Sequence, residues 1–267
     1  MSTTSEDSGK PASRWPLYLG ILLTLWLLFW YLIRPLPSDI GEISELVMFV
    51  GLAAAVTLSF AVVAKQFQFL STKQGISMTL VAVGFALWAA AEGTWFYYYI
   101  INQDPFPSIA DAFWIVGYLA FIVALSVSAR NIRMKFNASL LAIWAILSIA
   151  MAVIVIGLDV LPLLSEALTV DIIITIAYPI EDILVIIPAL VIVLKFKSGE
   201  VARPWGVLVL GFLLTAIGDV LYAFEENAGT YASPYSLVDL FLSLGYLACL
   251  VSALLFIQVY QRQRVSS

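Results

Sequence analysis

The sequence GFALWAAAEGTWFYYYIINQDPFPSIADAFWIVGYLAFIVAL, residues 84–125, occurs a second time in altered form. The second version is GFLLTAIGDVLYAFEENAGTYASPYSLVDLFLSLGYLACLVSALL, residues 211–255. With one inserted residue, the matched positions are Gly84 with Gly211, Glu92 with Asp219, Trp95 with Tyr222, Ser108 with Ser236, Asp111 with Asp239, and Tyr118 with Tyr246. Matching carboxylates and glycines in one order predict an internal duplication.

The composition around these two segments is that of an integral membrane protein. Of 267 residues, 62% are hydrophobic and 12% are charged, and the mean hydropathy is +1.00. A helix needs about 20 apolar residues to cross a bilayer. Eight segments qualify, at 15–33, 44–64, 76–100, 109–129, 138–158, 171–194, 205–224 and 237–258.

Lys and Arg predict the orientation of these segments, because cytoplasmic loops are enriched in both residues. With Arg34 as the exception, every Lys and Arg lies before the first segment or after an even-numbered one. We therefore expect both termini to be cytoplasmic in a multi-pass protein of the cell membrane.

The predicted fold is all-α, with eight transmembrane helices in two parallel four-helix repeats. The first repeat covers residues 15–129 and the second covers 130–258. Residues 1–14 are Ser/Thr-rich and are expected to form a disordered cytoplasmic tail, and residues 259–267 form a second cytoplasmic tail. Because each repeat has an even number of helices, a pseudo-twofold axis along the membrane normal would relate Glu92 to Asp219.

Residue types that are missing exclude several kinds of site. The chain has no His, and its one Cys, Cys249, lies within the last segment. A zinc site of the usual type and a haem held by His are therefore excluded. All Lys residues lie at or beyond the cytoplasmic segment ends, which excludes a retinal Schiff base in the membrane. We expect no enzyme activity, no catalytic or metal-binding residues, no cofactor and no nucleic-acid partner.

Acidic residues inside the segments are the main functional candidates. An intramembrane charge costs about 3 kcal/mol, so such residues normally face the bundle interior or a water-filled cavity. No basic residue lies inside the segments to pair with them. The candidate ligand-binding residues are these acids and the aromatic residues near them: Glu92, Trp95, Asp111, Tyr118, Tyr178, Glu181, Asp182, Asp219, Tyr222, Asp239 and Tyr246.

Each group of candidates also has a structural interpretation. The tyrosines fit an aromatic belt at the membrane interface. Asp111 and Asp239 follow Ser at three residues, which is close to a capping box. Glu181 and Asp182 lie between Pro179 and Pro188 and fit a kinked packing helix.

The functional interpretation is an outward-facing vestibule with Glu181 and Asp182 at its floor and aromatic walls. Acids and aromatic faces suit a small cationic or amphiphilic ligand. Adjacent helix positions point about 100° apart, so only one of the two acids can point fully inward. We expect this to be Asp182, because Tyr178 lies on the same helix face and its phenol can bond a carboxylate.

Three runs resemble a known family: DPFPSIADAFWIVGYLA at 104–120, AYPIEDILVIIPAL at 177–190, and GDVLYAF with YSLVDLFLSLGYLACL at 218–224 and 235–250. They are similar to the multi-span membrane sensor region that precedes GGDEF/EAL diguanylate cyclase and histidine kinase domains in bacteria and archaea. The resemblance covers about residues 44–258. It implies detection of a signal that is passed to an output domain. The sequence ends at Ser267 without such a domain, so the resemblance implies a stand-alone sensor with a separate cytoplasmic or membrane signalling partner.

Two other functions stay open on the sequence. A small transporter or channel would use the same acids to couple to protons or cations. A structural subunit of a membrane complex would need them only for packing. The lipid bilayer is a partner in each case, and a homo-oligomer is compatible with all three.

Overall fold

A computed structural model describes residues 14–131, 169–195 and 200–266, together with a few positions between 142 and 161. The long helices of these residues are α1 (Trp15–Ile33), α2 (Ser38–Gln66), α3 (Lys73–Ile100), α4 (Ile109–Asn131), α5 (Val170–Lys195), α6 (Ala202–Asn227) and α7 (Leu237–Ser266). A short 3₁₀ turn, Phe69–Ser71, joins α2 to α3.

All seven of these helices are long and apolar enough to cross a membrane, by length and composition. The predicted segment ends agree with the helix ends to within a turn or two at most positions. The last helix departs most, because α7 continues through the predicted tail to Ser266. The predicted fifth span, 138–158, lies almost entirely outside the described residues, and so does the tail over 1–13.

Six of the helices form a closed ring. Going round the ring, α2 contacts α3, α3 contacts α4, and so on to α7, which contacts α2 again. Helix α1 packs on the outside of this ring against α7. The two segments with matched sequences are therefore helical hairpins within one ring: α3–α4, the first hairpin, and α6–α7, the second hairpin.

Aromatic side chains fill the centre of the helix bundle. Phe85 on α3 and Phe212 on α6 occupy matched sequence positions, and their rings stack with centroids 6.2 Å apart and planes 11° apart. Phe60 stacks on Phe85 from α2, and Phe121 contacts both Phe85 and Phe212. All four are buried. Packing of this kind, together with interhelical hydrogen bonds, is what associates helices in lipid, where the tails are as apolar as the side chains.

Glycines allow the two helices of each hairpin to approach closely. A Cβ on Gly117 would lie 2.5 Å from Trp88 and 3.1 Å from the carbonyl oxygen of Gly84 on α3. A Cβ on Gly245 would overlap the Thr215 hydroxyl and lie 3.1 Å from the carbonyl oxygen of Gly211. Small residues at helix contacts are typical of membrane proteins, because they let backbones touch.

We predict that Gly117→Ala and Gly245→Ala each lower the free energy of unfolding by about 1–3 kcal/mol, the usual cost of overpacking. Unfolding of the purified protein in detergent measures this. Gly93→Ala is the matched control, since a Cβ there has no neighbour within 4 Å, and its better helix propensity should leave stability unchanged or raised. Equal stability of all three variants would contradict the close helix contact.

Candidate functional site

A tyrosine joins two of the predicted acids. The hydroxyl oxygen of Tyr118 on α4 lies 2.8 Å from Asp182 Oδ1 on α5 and 2.7 Å from Asp219 Oδ2 on α6. Tyr118 is 3% exposed and Asp182 is 2% exposed. One buried side chain thus connects three helices of the ring.

The two short contacts of Tyr118 also bear on whether Asp182 and Asp219 carry a proton. A phenol has a single hydrogen to donate, whereas an ionised carboxylate can only accept. Two separate bonds of 2.7–2.8 Å need two hydrogens. They form when one of Asp182 and Asp219 carries a proton and donates it to the phenol oxygen. A protonated, neutral aspartic acid also avoids the free-energy cost of an unpaired charge in an apolar interior.

The matched tyrosine of the second hairpin makes the reciprocal contact. Tyr246 on α7 donates to Glu92 Oε1 on α3 at 2.7 Å. Each hairpin therefore supplies a tyrosine that bonds the acid of the other hairpin. The two bonds therefore cross between the hairpins in opposite senses. We call Glu92, Tyr118, Asp182, Asp219 and Tyr246 the crossed network.

Asp111 and Asp239 cap their helices, as the Ser-x-x-Asp spacing predicts. Asp111 Oδ2 accepts from the Ser108 N–H at 2.6 Å and from its hydroxyl at 2.8 Å. In the second hairpin the Ser236 hydroxyl donates to Asp239 Oδ2 at 2.6 Å and accepts from the Asp239 N–H at 3.0 Å. The sequence-based interpretation of these acids as helix caps is confirmed.

Each capping acid also accepts a bond from a tyrosine. Tyr178 on α5 donates to Asp111 Oδ1 at 2.7 Å, and Tyr231 in the α6–α7 loop donates to Asp239 Oδ1 at 3.0 Å. The pKa of Tyr231 is raised above its ordinary value, mainly because the side chain is buried and secondly because the negative charge of Asp239 is close. The prediction that Tyr178 bonds Asp182 on its own helix is wrong. The long tyrosine side chain instead reaches the neighbouring helix α4, where its hydroxyl donates to Asp111.

Two buried carboxyl oxygens have no hydrogen-bond partner within the described part of the chain. They are Glu181 Oε2 and Asp182 Oδ2, on adjacent residues of α5. Glu181 is 6% exposed. Buried polar atoms are nearly always satisfied, so each unpaired one needs an explanation such as a bound ion, a proton or water. Among the described residues, these are the only two such oxygens that belong to carboxyl groups.

The last two candidates lie at the edge of the network. Trp95 is half-buried and its ring centroid is 6.3 Å from that of Trp114. Tyr222 is 45% exposed and packs edge-on against Tyr231 at 5.0 Å. Their matched positions place both aromatics toward the loop end of their helices, one helical turn beyond Glu92 and Asp219.

Sequence analysis did not select Glu45, which is also buried. Its Oε2 accepts from the Ser233 hydroxyl at 3.0 Å, and the Tyr235 N–H lies 3.5 Å from its Oε1. A signal was present: Glu45 lies on the buried stripe of α2 that continues through Phe49, Ala53, Val56 and Phe60 at helical spacing. Glu42, three residues earlier, lies off this stripe and bonds Tyr99 at 3.3 Å.

In the described ranges, no group of three or more His, Cys, Asp or Glu side chains is arranged to hold a metal ion. The chain matches no protein-family model, no curated protein sequence and no solved structure. Its function is therefore argued from the geometry of its own residues.

We predict that Tyr118→Phe lowers the free energy of unfolding by about 1–3 kcal/mol, because it removes the partner of two buried carboxyl oxygens. Unfolding in detergent measures the effect. Tyr97→Phe is the matched control, because Tyr97 is 57% exposed and its loss should change stability by less than about 0.5 kcal/mol. An equally small effect of Tyr118→Phe would show that the bridge between Asp182 and Asp219 does not stabilise the fold.

Proposed function

We propose that the protein is a polytopic membrane sensory or ligand-binding module whose binding site is the crossed network with Glu181. The observation that carries this proposal is a pair of buried oxygens, Glu181 Oε2 and Asp182 Oδ2, that have no hydrogen-bond partner among the described residues. A protein that only packed helices would gain stability from apolar side chains at these positions. Retaining two acids there, without a counter-charge, fits a site that receives a cation.

The network gives such a site a means of response. A cationic group at Asp182 would favour its ionised form, so the proton of the acid pair would be lost to water. The single hydrogen of Tyr118 would then bond Asp182, and the contact between α4 and α6 would change with it. A local change of charge would thus alter contacts among three helices, which is how ligand switches act. Trp95 and Tyr222 mark the partly exposed side from which a ligand would approach.

We also propose the eight-span arrangement, and the described helices support it. Asp111 and Tyr118 of α4 contact Tyr178 and Asp182 of α5 in the same order along both helices. The two helices therefore run in the same direction, and an eighth span between them would return the chain across the bundle. The segment 132–169 is longer than the roughly 20 residues that one crossing needs. With this crossing, both termini lie on one side of the membrane, which the Lys and Arg pattern assigns to the cytoplasm.

The duplication of two four-helix repeats is proposed on related grounds. The crossed bonds of Tyr118 and Tyr246, the stacked pair Phe85 and Phe212, and the capped Asp111 and Asp239 each relate matched positions. Helices α2 and α5 also take equivalent places, each between its own hairpin and the other one. A twofold axis along the membrane normal accounts for all of these relationships together.

A second candidate function is a proton-coupled or cation-coupled transporter. The short contacts among Asp182, Tyr118 and Asp219 favour it, because transporters use intramembrane carboxyl groups as proton carriers. Saturable uptake of a cation into proteoliposomes, coupled to a pH gradient, would favour this candidate over a sensor.

The test uses tetramethylammonium chloride as a cationic probe, with sodium chloride at equal ionic strength as its control. We expect tetramethylammonium to raise the unfolding temperature of the wild-type protein, since a ligand present at 100 times its Kd adds about 2.7 kcal/mol. Asp182→Asn keeps the shape of the side chain and should abolish the rise while the protein stays folded. Asp104→Asn, in the exposed α3–α4 loop, should respond like the wild type. An undiminished rise in Asp182→Asn would contradict the proposed site.

A further inference from the structure

A cavity of about 550 Å³ lies apart from the crossed network, between the end of α1, the start of α2 and the α6–α7 loop. This volume is within the range of small-molecule sites. Its polar lining includes Arg34, Glu225, Thr230, Ser233, Tyr235 and Ser236.

The charges of the cavity are one cation and one anion. Arg34 is the only basic residue in the lining and Glu225 is the only acidic one. The structure shows no ion pair for either of them within the described residues. A ligand with only negative charge would meet Glu225 unfavourably, and one with only positive charge would meet Arg34. A ligand that carries both charges can satisfy the two together.

The hydroxyl groups of the wall show which polar atoms the cavity can offer. Ser233 donates its hydrogen to Glu45, Ser236 donates to Asp239, Thr230 donates to the Glu225 carbonyl, and Tyr235 donates to the Leu36 carbonyl. All four hydrogens are thus used within the protein. The free lone pairs of these oxygens can only accept a bond. These four oxygens therefore favour the N–H donors of a primary ammonium group, whereas the Ser38 hydroxyl and the Arg34 guanidinium on the same wall can donate to a phosphate.

One side of the cavity is apolar and reaches the outer surface of the bundle. Leu32 lines it and is 70% exposed on α1. Trp30 and Tyr235 also pack together here, with ring centroids 5.8 Å apart. A ligand held at Arg34 and Glu225 would thus have apolar surface beside it, along a helix that by length and composition can cross the membrane.

We propose that this cavity binds a zwitterion in which a primary ammonium lies next to a phosphate, with Arg34 on the phosphate and Glu225 and the acceptor hydroxyls on the ammonium. This chemistry occurs both in a phosphatidylethanolamine headgroup and in free phosphoethanolamine. The site is independent of the proposed cation site, since it shares none of the five residues of the crossed network.

The test measures binding to the purified full-length chain in detergent by native mass spectrometry, with three probes. They are dihexanoyl phosphatidylethanolamine, dihexanoyl phosphatidylglycerol, which lacks the ammonium, and free phosphoethanolamine. We expect the ethanolamine lipid to bind at least tenfold more tightly than the glycerol lipid. If free phosphoethanolamine binds equally well, the headgroup chemistry alone suffices. If it binds more weakly, the acyl chains contribute and the source is lipid.

Single substitutions test whether the lipid binds in this cavity. Arg34→Gln and Glu225→Gln should each weaken binding of the ethanolamine lipid about tenfold, because each removes one charge-assisted contact. Glu226→Gln is the matched control: Glu226 is adjacent, exposed and outside the lining, and its loss should leave binding unchanged. Equal binding of the two lipids by the wild-type protein, or unchanged binding in both Arg34→Gln and Glu225→Gln, would overturn the proposal. None of these three variants should alter the response to tetramethylammonium that tests the crossed network.

Discussion

Acidic side chains buried among apolar helices without a basic partner impose the constraint on which this structure depends. Water is absent from the bilayer interior, so each carboxyl oxygen must find a protein donor, a proton or a bound cation. The chain meets this need with tyrosines, whose hydroxyls are carried across the ring by aromatic rings that also fill the core. Tyr118 and Tyr246 are buried and each bonds an acid of the opposite hairpin. The hydrogen bonds that satisfy these two acids therefore also hold the two hairpins together.

The buried acids of the molecule fall into two groups, which differ in whether their carboxyl oxygens have hydrogen-bond partners among the described residues. At the loop ends of the helices, Asp111 and Asp239 have Ser and Tyr partners, and both work as stable caps. Deeper in α5, Glu181 and Asp182 each have one oxygen without a hydrogen-bond partner in the part of the chain that the structure describes. Caps stabilise a fold by satisfying helix ends. Unpartnered acids cost stability, and this is why the proposed function centres on α5 rather than on the caps.

Much of the fold follows from the sequence, since helix length and hydropathy are local properties. The ends of α1 coincide with the predicted span, and the capping role of Asp111 and Asp239 follows from the spacing of Ser and Asp. The pairing of side chains between helices could not be obtained in this way. Matching Glu92 to Asp219 predicts that they are equivalent, but the order of helices round the ring decides that Tyr246 reaches Glu92 and Tyr118 reaches Asp219. Tyr178 illustrates the same limit: its own helix offered Asp182, and the neighbouring helix supplied Asp111.

The central claim is that tyrosine and acid bond across the two hairpins, and a double-mutant cycle on Tyr246 and Glu92 tests it most directly. Unfolding free energies of Tyr246→Phe, Glu92→Gln and the double variant give the coupling between the two side chains. Contacting residues couple by about 0.5–3 kcal/mol. We expect a coupling in this range for Tyr246 with Glu92, and a value near zero for Tyr246 with Asp111, which has other partners. Additive effects of Tyr246→Phe and Glu92→Gln would contradict the account, because they would show that the two hairpins are not held together by this bond.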